Sequence, residues 1–271
     1  MLFDIIRILI GFVLSIIIAL TAHRLKSLNR SGAFGAILVG TIIFGLGGIT
    51  FAVPLLFFFI SGSTLSMLQN SSKRRSQKFT IRLGPRTFAQ VFANGGPAAV
   101  FAIAYAIKGN PIWFVGYLAC LCEAAADTWA TEIGMLSKSS PVSIVSFKPM
   151  PTGQSGAISL MGTVASLAAT LFTMASARIA VNFTDSIPYW PISIWFAAAY
   201  AGFVGSILDS VLGAVFQGLY RCRNCGKITE DKSHCCQKAA RIKGIGLINN
   251  DAVNFISSLL SGVLALWIVA T

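Results

Sequence analysis

The first thirty residues read MLFDIIRILIGFVLSIIIALTAHRLKSLNR, Met1 to Arg30. An apolar helix of about twenty residues is long enough to cross a bilayer. A secretory leader would place positive charge ahead of its apolar core and a small-residue cleavage site after it. Here the only early base, Arg7, is offset by Asp4, and no clear cleavage site precedes the basic flank of Arg24, Lys26 and Arg30. The stretch therefore reads as a first membrane span.

The rest of the chain repeats this pattern. Of 271 residues, 55% are hydrophobic and only 11% charged, where an ordinary soluble domain has about a quarter charged. Mean hydropathy is +0.75. The sequence predicts an all-α, polytopic membrane helix bundle of about eight spans (six to eight), some short or broken. They fall near 2–20, 32–47, 50–68, 88–107, 111–136, 156–181, 192–219 and 248–270. No long polar linker divides the chain, so residues 1–271 read as one integral-membrane domain, with 220–247 a Cys-rich loop. Spans two and three meet at Gly47-Gly48 and alternatively form a re-entrant hairpin. Pro54 and the run Asn94-Gly95-Gly96-Pro97 are expected to interrupt two spans.

Lys and Arg are distributed unevenly between these spans. Loops 21–31, 69–87, 137–155 and 220–247 hold eighteen of them, against three elsewhere: Arg7, Lys108 and Arg178. The positive-inside rule then puts the four basic loops in the cytoplasm and both termini outside. The expected setting is a prokaryotic inner or plasma membrane. The net charge of +12 is assigned to topology and anionic headgroups, not to nucleic acid.

On this topology the polar residues of six spans gather at one leaflet. Residues 123–134 read EAAADTWATEIG, placing Asp127 and Glu132 in the inner half of span five. GFVGSILDSVLGA places Asp209 in the inner half of span seven, and NNDAVNFISS places Asn250, Asp251 and Asn254 at the start of span eight. Arg86, Gln90, Asn94 and Gly95 open span four. A charge at the centre of a span costs at least about 2.5 kcal/mol, so three such carboxylates need compensation. Asp127, Asp209 and Asp251, with amide oxygens nearby, suit Mg²⁺, which also takes substrate phosphates. Glu123 shares a helix face with Asp127 and is a second ligand or a base. Glu132 lies about 140° round the helix and is a candidate to bind a basic loop residue. The alternative is that single acids pair with Arg or Lys and only hold helices together.

Ahead of span six, PMPTGQSGAIS brackets Gln154 and Ser155 with Gly153 and Gly156. Such a loop either aims backbone N–H groups at a phosphate or caps the helix through Ser155. The last basic loop reads RCRNCGKITEDKSHCC. Cys222-x2-Cys225 followed by His234, Cys235 and Cys236 has zinc-ribbon spacing. The expected ligands are Cys222, Cys225, His234 and Cys236, or Cys235 in place of one of these. The alternative is four reduced thiols in a mobile loop.

The blocks ANGGPAA, EAAADTWATEIG, GSILDSVLGA and NNDAVNFISS, in this order, resemble the integral-membrane family that includes transmembrane protein 19 and the plant phytyl-phosphate kinase. The resemblance covers nearly the whole chain. It implies phosphoryl transfer from a nucleoside triphosphate to an isoprenoid phosphate or alcohol. Read together with the residues, Asp127, Glu123 and Asp209 are the expected catalytic groups. Phosphate and substrate contacts are expected from Asn94, Gly95, Arg86, Gly153, Ser155, Asn250, Asn254, Arg241 and Lys243. The expected partners are the bilayer, an isoprenoid-type lipid and a nucleoside triphosphate, with Mg²⁺ and structural Zn²⁺ as cofactors. The alternative function is transport of a small or lipid-linked solute. A third is a scaffold whose cysteine loop recruits a partner.

Overall fold

Apolar runs bounded by polar caps become seven helices in a computed structural model, which describes residues 2–67, 84–184 and 187–271. They are α1 (Leu2–Arg24), α2 (Arg30–Met67), α3 (Phe88–Lys108), α4 (Trp113–Gly134), α5 (Leu160–Val181), α6 (Ile192–Phe216) and α7 (Asn250–Ala270). Six of them are long and apolar enough to cross a membrane. The other is α4, whose Glu123, Asp127 and Glu132 interrupt an otherwise apolar run. It is the hub of the bundle, packing on α2, α3, α5, α6 and α7. Of the loop bases counted above, Lys73, Arg74, Arg75, Lys78 and Arg82 lie outside the described residues, as does Asp185.

The element α2 is two helical segments meeting at Gly48. Gly48 has φ 63° and ψ −156°, a combination open essentially to glycine alone. In a straight helix Gly32 and Gly62 would stand about 45 Å apart. Instead a methyl on Gly32 would overlap the Arg86 carbonyl, and Gly62 faces the Arg86 guanidinium. The chain therefore turns back on itself at Gly48. The helix runs on through Pro54, and α3 runs on through Pro97, so the expected breaks there do not occur. Proline is tolerated at membrane depth where neighbouring helices re-satisfy the freed backbone groups.

Far from the basic loops, the core is an aromatic cluster. Phe51 packs on Tyr117 and Phe114 with centroids 4.5 and 4.8 Å apart, and the Tyr117 hydroxyl donates to the Phe51 carbonyl. Helix starts differ between the two faces. On the basic-loop face Asn29 accepts from Gly32 N at 2.8 Å, Ser159 from Gly162 N at 3.1 Å and Asn249 from Ala252 N at 2.9 Å. Thr87 and Gln90 form a reciprocal capping box on the same face. At the other face α4 and α6 begin at Ile112 and Pro191 with no side-chain cap. Ser159, not Ser155, is thus the N-cap of α5.

The basic-loop face also carries short strands that an all-helical reading omits. β1 (Val142–Ser143) pairs antiparallel with β2 (Ala157–Ile158). After α6, β3 (Leu219–Arg221) lies between β4 (Ile228–Thr229) and β7 (Ala240–Lys243), while β5 (Ser233–His234) pairs with β6 (Gln237–Lys238). In β3 the Tyr220 side chain turns inward and Arg221 outward, the alternation of a strand with one covered face.

Candidate functional site

Four helices meet just beneath the basic-loop face. Ser257 on α7 sits between two carboxyl groups: its Oγ is 2.8 Å from Glu123 Oε1 on α4 and 3.0 Å from Asp209 Oδ2 on α6. It is also 3.1 Å from the Asn254 carbonyl. A hydroxyl has one proton to donate, so these three acceptors compete for it. Glu123 is 1% exposed and Asp209 8%. Bulk water has little access to such buried groups, so their partners are mostly fixed within the bundle.

The close approach of α6 to α4 and α7 makes this junction possible. A methyl on Gly205 would overlap Ser261 Oγ and crowd Glu123 Cγ. Asn254 extends the network. Oriented as its neighbours require, its amide donates to Asp209 Oδ2 at 3.2 Å and to the Asn250 carbonyl at 2.8 Å. Its oxygen then faces the Asn94 amide of α3 at 3.1 Å and accepts from it once Asn94 is likewise turned to present its nitrogen. A polar ladder therefore runs Asn94–Asn254–Asp209–Ser257–Glu123 across α3, α7, α6 and α4. Asp127, one turn on from Glu123, is half-buried, and its charge acts on both Glu123 and Asp209.

Two openings flank the ladder. On the Asn94 side is an apolar groove between α1, both segments of α2 and α3, lined by Val39, Phe44, Leu55 and Phe58, with Arg86 and Asn94 at its polar end. The Arg86 guanidinium lies 5.7 Å from the Phe59 ring centre and 6.0 Å from that of Phe58. The charge of Glu132 also acts on it, and Glu132 accepts a hydrogen bond from Ser66 Oγ. On the Asp209 side is a polar cavity of about 200 Å³, lined by Lys148, Gln154, Ser155, Gln217, Glu230 and Lys243. Gln217 is 5% exposed, and its buried Oε1 has no hydrogen-bond partner among the described residues. Glu230 closes one wall: its Oε1 accepts from Ser155 N at 3.0 Å and Ser155 Oγ at 2.6 Å. Its charge also reaches Asp209.

The predicted residues are distributed unevenly around this centre. Glu123, Asp209, Asn94 and Asn254 are joined by hydrogen bonds, with Asn250 and Asp127 beside them. Gly95 and Arg86 line the groove, and Ser155 and Lys243 line the cavity. Gly153 sits in the turn ahead of β2 with φ 85°. Arg241 is exposed on β7, and Asp251 is half-buried in the first turn of α7. Among the described residues, Asp127, Asp209 and Asp251 do not converge to within 4.8 Å of one another; one group of Cys and His does.

Ser257, Lys148, Gln217 and Glu230 were not singled out by the sequence. For Ser257 a signal exists. Asn250, Asn254, Ser257 and Ser261 recur at helical spacing and form a polar stripe on an apolar helix. Gln217 and Glu230 carry no local signal, because their role depends on contacts made across the fold.

In the Cys-rich ribbon, the group is Cys222, Cys225, His234 and Cys235; Cys236 is not part of it. The Cys225 backbone and the His234 side chain lower the Cys222 thiol to about 6. Hydrogen bonding to Cys225 helps hold the Cys235 thiol up at about 11.

The family model for the integral membrane protein DUF92 matches residues 13–262. The chain belongs to this family. Among DUF92-like relatives, Protein PGR of Arabidopsis thaliana is 31% identical over 95% of this chain and 94% of its own length. An uncharacterized membrane protein of Methanocaldococcus jannaschii is 25% identical over 98% and 96%. The chloroplastic Protein VTE6 of Arabidopsis thaliana is 26% identical over 88% of this chain and 64% of its own length. No solved structure matches the chain.

Proposed function

We propose that this DUF92 member is a membrane-embedded phosphotransferase. It moves the terminal phosphoryl group of a nucleoside triphosphate to an isoprenoid-type lipid phosphate or alcohol. The ladder Asn94–Asn254–Asp209 carries this reading, because it links an apolar groove ending in Arg86 to a polar cavity holding Lys148 and Lys243. The resemblance to a family that includes a plant phytyl-phosphate kinase supports the same substrate class. The basic-loop face is then cytoplasmic by the positive-inside rule, which gives the cavity access to nucleotide.

On this reading the lipid tail lies in the groove, and Arg86 holds its phosphate with two parallel N–H donors. Lys148 and Lys243 attract the nucleotide phosphates in the cavity. The acceptor oxygen forms the new P–O bond as the bond to the departing nucleoside diphosphate breaks. A phosphate acceptor needs no strong base, whereas an alcohol gives up its proton to Glu123 or Asp127. Positioning and charge stabilisation account for most of the catalysis of phosphoryl transfer.

Asp127, Asp209 and Asp251 do not close on one point by themselves, so Mg²⁺ would be held by Asp209 and Asp127, with Asn94 and Asn250, partly through retained waters and substrate phosphates. When bound, the ion would supply positive charge against the transferring phosphoryl group.

Purified protein in lipid is given Mg²⁺, each γ-labelled nucleoside triphosphate, and a panel of isoprenyl alcohols and monophosphates. The expected result is label in a magnesium-dependent lipid product. No transfer across the panel by folded protein overturns the reading and favours transport, which flux into liposomes then measures.

A further inference from the structure

The ribbon between α6 and α7 holds a second constellation, separate from the carboxylate ladder. Cys222 follows β3, Cys225 lies in the next turn, His234 ends β5 and Cys235 begins the turn to β6. Their three sulfur atoms and a ring nitrogen of His234 all lie within 4.8 Å of one another. Cys225 Sγ is 3.8 Å from Cys235 Sγ and 3.5 Å from His234 Nδ1, and Cys235 Sγ is 3.2 Å from that nitrogen.

These separations are informative. A disulfide would bring two sulfurs to about 2.05 Å, and all four ribbon cysteines are free. Zinc at about 2.3 Å from sulfur and about 2.0 Å from nitrogen, in a tetrahedron, implies edges of roughly 3.8 Å for S···S and roughly 3.5 Å for S···N. Two of these three separations equal those edges, and the third is slightly shorter.

Both turns support the same conclusion. Cys222 N donates to the Lys227 carbonyl at 2.8 Å and Gly226 N to the Cys222 carbonyl at 3.0 Å, folding the first pair of ligands into a knuckle. In the second turn Cys235 and Cys236 have φ of 53° and 58°. They are the two-residue loop of the β5–β6 hairpin, where a type I′ turn needs positive φ at both positions; for two cysteines this is unfavourable, a cost the ribbon has to offset elsewhere. The ribbon has little apolar interior to do so. Its strands are two to four residues long, and strands this short are not stable by packing alone.

We propose that Cys222, Cys225, His234 and Cys235 form a closed, structural Zn²⁺ site that clamps the ribbon. Four protein ligands leave no open position, which is the arrangement of structural rather than catalytic zinc. One histidine with three thiolates suits zinc, while iron–sulfur sites favour all-cysteine sets. Between the second and third ligands the chain carries Glu230, which holds Ser155 through two hydrogen bonds. The clamp therefore fixes one wall of the polar cavity. This inference does not rest on the phosphotransferase reading.

The test uses the full chain purified without chelator from zinc-replete cells. Elemental analysis should find about one zinc per chain, and X-ray absorption should fit three sulfurs and one nitrogen. Cys225→Ser and Cys235→Ser should each lower the zinc content at least tenfold, while Cys236→Ser keeps it. Stripping zinc from the wild type should open residues 222–238 to protease while the helical circular dichroism is unchanged. Wild-type protein with less than half a zinc per chain overturns the site. Loss of zinc in Cys236→Ser with retention in Cys235→Ser overturns the ligand set. A stripped ribbon as protease-resistant as the loaded one overturns the clamp.

Discussion

Ser257 Oγ stands 2.8 Å from Glu123 Oε1, joining α7 to α4 at a depth where Glu123 is 1% exposed. Removing that hydroxyl leaves two buried carboxyl groups without their shared partner. A buried polar group left unsatisfied costs about 1–3 kcal/mol. Ser257→Ala should therefore lower stability in detergent by that order, measured by thermal unfolding, and Ser257→Thr should recover much of it. An unchanged Ser257→Ala protein would mean that the hydroxyl does not hold the junction.

Asp127 and Asp209 are the acids through which the proposed centre meets phosphate-borne charge. Asp127→Asn and Asp209→Asn keep size and shape but lose the negative charge. Removing one preorganised electrostatic group commonly costs about 10²-fold or more in rate. Both variants should insert and fold, by gel filtration and circular dichroism, and lose transfer by at least that factor. Full turnover in both would remove these residues from the mechanism.

Gly205 is where α6 comes closest to α4 and α7. Gly205→Ala overlaps Ser261 Oγ and crowds Glu123 Cγ, and overpacking costs about 1–3 kcal/mol. The expected variant is less stable and, with Glu123 displaced, slower. A fully stable and active Gly205→Ala would show that the helices can separate there without consequence.

Lys148 and Lys243 line the cavity on the Asp209 side. If they hold nucleotide, Lys148→Ala and Lys243→Ala should raise the nucleotide KM about tenfold each, a loss of roughly 1.4 kcal/mol, with little change in the KM for lipid. The reverse pattern would exchange the two openings.

Much of this arrangement is legible in the sequence because membrane helices expose their exceptions. Acids such as Asp209 stand out in an apolar run because they are costly there, and the spacing of Asn250 and Asn254 puts both on one face. Gly47-Gly48 marks the reversal of α2. Pro54 and Pro97 mislead, because their missing N–H groups are tolerated inside the bundle. The ribbon was invisible as β-structure, since its strands are too short to show a period. Spacing alone put Cys236 among the ligands with Cys235 as a substitute, and the fold instead brings the Cys235 sulfur beside Cys225 and His234. Glu230 and Gln217 were missed because their partners lie across the fold.

The reversal at Gly48 also shapes the molecule as a whole. Its two helical arms, each about 27–29 Å long, have a single residue between them, so they are tied to one another as a tight helical hairpin. On that side the described chain offers only this bend and short joins around 109–112 and 182–191. Among the described residues, nearly all of the chain outside the helices sits at the opposite end. The protein is lopsided across the membrane, and a soluble partner, a protease or an antibody would find most of its foothold from one compartment.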